Sequence, residues 1–131
     1  MIRNSGSLPI FIIIPTYMIL LFIVSALPDT NDPQDLLVLV SPKIQNLLHF
    51  PAYGLLAWLW ICGVRTLGIT GWKGVLTGVI VASVYGGALE LYQFWVPGRF
   101  PSLVDGIYNV LGAALFGWFY GKFKILEISR G

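Results

Sequence analysis

Residues 74–94 read GVLTGVIVASVYGGALELYQF. From Gly74 to Leu89 the stretch carries no charged side chain. At about 1.5 Å of rise per residue it is long enough to cross a hydrocarbon core about 30 Å thick. It then ends on Glu90 and Gln93, polar groups that a membrane span does not carry without cause. Residues 8–27, 44–63 and 103–123 match it in length and apolar character. Of the 131 residues 56% are hydrophobic and 11% charged, with a mean hydropathy of +0.79. The sequence therefore predicts an all-α, polytopic membrane protein, with four transmembrane helices forming a single domain over residues 1–131.

The intervening segments are rich in turn residues: LPDTNDPQD after the first span, TLGITGWKG after the second and WVPGRFPS after the third. None is long enough to hold a soluble domain. LLVLVSP, residues 36–42, is apolar but too short to cross and is expected at the interface or packed on the bundle. Arg3, an apolar run and VSA at 24–26 have the outline of a signal peptide. The run exceeds the usual signal core of about 7–15 residues, so it is expected to remain as the first span, kinked at Pro15. A formal charge of +2 gives no reason to expect nucleic acid as a partner. Cys62 stands alone, which excludes an internal disulfide and any multi-cysteine metal site. Small residues at 74 and 78, 83 and 87, and 117 and 121 are spaced for close helix packing.

Lysine and arginine set the expected orientation. Arg3, Arg65, Lys73, Lys122, Lys124 and Arg130 fall on one side of a four-span topology, and only Lys43 and Arg99 on the other. The positive-inside rule places both termini and the middle loop in the cytoplasm. The end of the bundle that carries Glu90 then faces outward.

On that topology the unusual polar residues converge. Glu90 and Gln93 share a helix face at i, i+3, and Asp105 and Asn109 share one at i, i+4. A short loop carrying Arg99 joins their helices, and the Ser102 hydroxyl is placed to cap the last one. His49, the single histidine, sits at similar depth on the second span, with Tyr53 one turn further in and Gln45 one turn further out. A charge near the middle of a span costs on the order of 3 kcal/mol, so such residues face an interior or a wet cavity. Arg99 is the natural cation for a carboxylate or a phosphate, because its planar fork grips either one in two places.

The chain resembles the VanZ-like family of small bacterial membrane proteins, associated with teicoplanin resistance. HFPAY at 49–53, YGGALELYQFWVPGRFPSLVD at 85–105 and NVLGAALFG at 109–117 carry the likeness, over about residues 45–120. Such proteins tend to have an Asp-Lys pair before the HF motif, where this chain has Gln45-Asn46. The resemblance implies a multi-pass protein of the bacterial cytoplasmic membrane with a cell-envelope task, but no established reaction.

The polar residues, with this setting, point to an outward-facing pocket. It would bind, or bind and modify, an amphiphilic envelope substrate: a lipid-linked precursor, a membrane lipid headgroup or a lipophilic glycopeptide antibiotic. Glu90, Asp105 and His49 are the candidate catalytic acid/base groups. Arg99, Gln93, Asn109 and Tyr53 are the candidate substrate-binding groups. His49, Glu90 and Asp105 are acceptable metal ligands by type, yet no local ligand motif supports a metal, and neither metal nor cofactor is assigned. The sequence alone does not decide between enzyme and binding protein. A small proton-coupled transporter and a non-catalytic membrane partner of an envelope protein are the competing classes, and a helical protein of this size can form a homo-oligomer.

Overall fold

The computed structural model describes residues 8–29 and 41–128. These form α1 (Leu8–Ala26), α2 (Pro42–Thr66), α3 (Gly71–Tyr92) and α4 (Leu103–Ile128), with a single 3-10 turn, Gln93–Trp95, closing α3. Among the described residues there is no strand. Each of the four helices contains a segment long and apolar enough to cross a membrane. Their ends fall within a few residues of the predicted spans. Of the run at 36–42, all but Ser41 and Pro42 lies outside the described residues. Those two residues open α2, with Pro42 in the first turn, where its missing N–H costs nothing. α1 and α2 continue through Pro15 and Pro51.

The four helices are not equivalent. α2, α3 and α4 pack around Tyr53, Leu56, Ala57, Ala82 and Ala113. α1 lies against the outside of this trio: 6% of its membrane-length segment is buried, against 44% for α2. An apolar helix gains little by burial when its surroundings are lipid, so polar groups fix its position instead. The Tyr17 hydroxyl donates to the Ala52 carbonyl at 3.0 Å, and the Tyr85 hydroxyl donates to the Met18 carbonyl at 2.6 Å. Phe22 rests on Tyr92, with ring centroids 5.1 Å apart.

Small residues set the helix spacing, as the sequence predicts, with one change of register. A methyl group on Gly78 would lie 2.7 Å from the Ala57 carbonyl oxygen, and one on Gly117 would lie 2.6 Å from Val79. Gly87, however, faces open space, and its neighbour Gly86 makes the close approach instead, to Asn109 and Tyr53. The interior stripe of α3 runs Gly74, Gly78, Ala82, Gly86 at i, i+4 steps, which turns 83 and 87 away from the seam. Between helices the closest approach is at Gly112, whose Cα faces the backbone carbonyl of Phe50 on α2.

The α3–α4 connection is clamped to the end of α1. Gly98 takes a positive φ of 76° and lies against the Asp29 carbonyl. The Asp29 amide donates to the Pro97 carbonyl at 3.2 Å. Only glycine allows both the φ and the contact. This clamp closes the end of the bundle where the polar residues gather.

Candidate functional site

Glu90 is the next i+4 position on the small-residue stripe of α3, which is why a carboxylate points into the bundle rather than into lipid. His49 lies seven residues into α2 and Asn109 six residues into α4. At about 1.5 Å per residue these groups sit roughly 10 Å below the same end of the helices. Glu90 is 6% exposed, and Asn109, with Gly86 leaving room for it, is wholly buried.

The sequence-selected residues divide into two connected sets. The inner set is Glu90, Asp105 and Asn109, all buried. The outer set, defined by lining the cavity and not by exposure, is His49, Tyr53, Gln93 and Arg99, of which Tyr53 and Gln93 are as buried as the inner set. With Gln45, Ser25 and apolar side chains from α1 and α2, it lines a cavity of about 180 Å³. His49 joins the two. Its Nδ1 is 2.9 Å from the Asn109 Oδ1 and 3.7 Å from the Glu90 Oε1, while its ring stacks on Tyr53 and its side chain remains 24% exposed. The Asn109 side-chain amide therefore meets the same ring nitrogen that faces Glu90.

Ser102 organises the inner set twice over. As the cap of α4, its Oγ accepts from the Asp105 amide at 3.3 Å, and its carbonyl accepts from the Gly106 amide at 3.1 Å. Its own amide donates to Glu90 Oε2 at 3.2 Å. The sequence marked Ser102 as a cap; that its backbone would also grip Glu90 had no linear signal.

Two further contacts differ from what the linear order suggests. Arg99 is the expected partner for a carboxylate, yet among the described residues the cation-forming group within 4 Å of Glu90 is His49. The Arg99 Nε instead donates to the Leu27 carbonyl at 3.1 Å, at the C-terminal end of α1, where the helix dipole favours a cation. Its side chain still reaches the cavity wall. Ser25, which the sequence gave no reason to select, accepts from Gln93 Nε2 at 3.3 Å. That contact brings α1 into the wall of the site.

The cluster is not self-sufficient. Glu90 Oε1 and Asn109 Nδ2 are buried without a hydrogen-bond partner, although buried polar atoms are nearly always paired. A carboxylate, an imidazole in contact with it and an adjoining cavity form the elements of an acid/base relay. A second, larger concavity of about 920 Å³ lies between α3 and α4 near the opposite end, with Arg65 and Lys122 beside Trp72 and Trp118. It contains none of the sequence-selected polar residues.

Compared with protein-family models, with curated proteins and with solved structures, the chain matches none.

Proposed function

We propose that the chain is a VanZ-like, multi-pass protein of the bacterial cytoplasmic membrane. In this reading both termini are cytoplasmic and the pocket opens on the extracytoplasmic side. It binds the anionic headgroup of an amphiphilic envelope molecule, such as a lipid-linked precursor, a lipid or a lipophilic glycopeptide of the teicoplanin type, and carries the groups to modify it. Arg99 holds the anionic group, and Gln93, Asn109 and Tyr53 orient it. His49 relays protons between the cavity and the buried carboxylates Glu90 and Asp105.

The observation that carries this reading is the incomplete pairing at the junction of cluster and cavity. Polar residues serving only as interhelical glue satisfy one another. Here Glu90 Oε1 and Asn109 Nδ2 do not. Trp60 Nε1 and Ser83 Oγ are also buried without a partner; what sets Glu90 Oε1 and Asn109 Nδ2 apart is that His49 connects their neighbourhood to a cavity. Transport is less well supported, because the cluster lies toward one end of the helices rather than at the midplane where alternating access is organised.

Sidedness is tested by cysteine labelling. In a Cys62→Ser background, Phe100→Cys, at an 84% exposed position in the α3–α4 loop, is expected to react with a membrane-impermeant maleimide in intact cells. Trp72→Cys, 70% exposed at the other end, is expected to react only after permeabilisation. The reverse pattern would invert the orientation and close the route to envelope substrates.

Binding is tested in a bacterial host lacking the protein, challenged with teicoplanin among other envelope agents. At matched membrane levels Arg99→Ala is expected to reduce protection to that of the empty vector, with Arg99→Lys retaining part of it through charge alone. Full protection by Arg99→Ala overturns the assignment of Arg99 as the anion-binding group.

A further inference from the structure

His49, Glu90 and Asp105 come from three helices and are distant in sequence, yet each offers a ligand atom within 4.8 Å of the other two. They comprise one imidazole and two carboxylates. Catalytic zinc sites characteristically use three protein ligands and leave a further position open, and nitrogen and oxygen donors of this kind also suit manganese.

From this geometry we propose that His49, Glu90 and Asp105 bind a divalent transition-metal ion, zinc or manganese, at the base of the pocket. A tetrahedral zinc ion with ligands at about 2.0 Å holds them roughly 3.3 Å apart. Closing the trio onto an ion therefore takes side-chain shifts on the order of 1 Å.

Two observations besides the clustering favour an ion. Glu90 is more than nine-tenths buried, and its Oε1, 3.7 Å from the imidazole, has no hydrogen-bond partner. Two carboxylates from neighbouring helices meet in a segment expected to lie within the membrane, where a dication offsets both charges at once. With Arg99 on the cavity wall, an ion here would give the pocket a second positive centre for a phosphate or carboxylate headgroup.

This inference does not rest on the reading above and replaces one part of it: residues that hold an ion do not relay protons. With metal bound, the ion takes over the role given there to His49, Glu90 and Asp105, and metal content is measured without substrate. The full chain, purified in detergent through a tag free of histidine, is treated with chelator, incubated with Zn2+ or Co2+ and desalted. Near-stoichiometric metal is expected by mass spectrometry, with visible d–d absorption in the cobalt form. His49→Ala, Glu90→Gln and Asp105→Asn are each expected to weaken binding at least about tenfold. Glu90→Gln and Asp105→Asn nearly preserve shape, and unchanged elution on gel filtration shows that they remain folded. Wild-type protein that retains no metal overturns the proposal, as do folded variants that retain as much as wild type.

Discussion

Gly112→Val is expected to prevent assembly of the bundle. The Gly112 Cα faces the Phe50 carbonyl, so any side chain added there meets backbone of the neighbouring helix rather than the tip of a side chain that could swing aside. Overpacking in a well-packed core costs about 1–3 kcal/mol. A clash between two backbones belongs at the top of that range or above it, because relief requires α2 and α4 to separate. Those helices carry His49 and Asn109, so separation also breaks their 2.9 Å contact. Detergent extracts of the variant are expected to give aggregated material on gel filtration. Gly87→Val is the control, since nothing lies within 4 Å of a Cβ at that position. A monodisperse Gly112→Val protein would show that the α2–α4 seam is looser than described.

Glu90→Gln is expected to have the opposite effect on the fold, leaving it as stable as wild type or more so in chelator-treated protein. The amide preserves the shape and an oxygen to accept from the Ser102 amide, which lies 3.2 Å from Oε2. It also removes a buried carboxylate. A carboxylate buried with one oxygen unpaired carries a desolvation penalty that the neutral amide largely avoids, so the change is expected to be neutral or stabilising. Thermal melts followed by intrinsic fluorescence measure this directly. Chelator is needed because an ion bound through Glu90 would stabilise wild type alone. A melting temperature well below wild type would make Glu90 a structural keystone. An equal or higher one would mean that the carboxylate is retained at the expense of stability, as is common for groups kept for function.

The spans were legible because hydropathy over about 20 residues is a strong local signal, and turn residues such as Pro97, Gly98 and Gly68 punctuate it. The convergence of His49, Glu90, Asp105 and Asn109 was legible for a different reason. Antiparallel helices joined by short loops place residues equally far from the loops at equal depth, and helical spacing fixes the shared faces of each pair. Three things were not legible. The outlying position of α1 had no signal, since an apolar helix reads the same whether lipid or protein surrounds it. The contacts of Ser25 with Gln93 and of Leu27 with Arg99 depend on that position. The division of the cluster between cavity wall and buried floor depends on side-chain direction, and His49 is the residue through which the two halves meet.

Whether the cluster works or merely holds helices together is decided by growth of a host lacking the protein, complemented with wild type or Glu90→Gln at matched membrane levels and challenged with teicoplanin. Loss of complementation by a folded Glu90→Gln protein is expected, because an amide can neither take nor give the proton that a relay through His49 requires. Complementation indistinguishable from wild type would contradict it and reduce the cluster to interhelical glue.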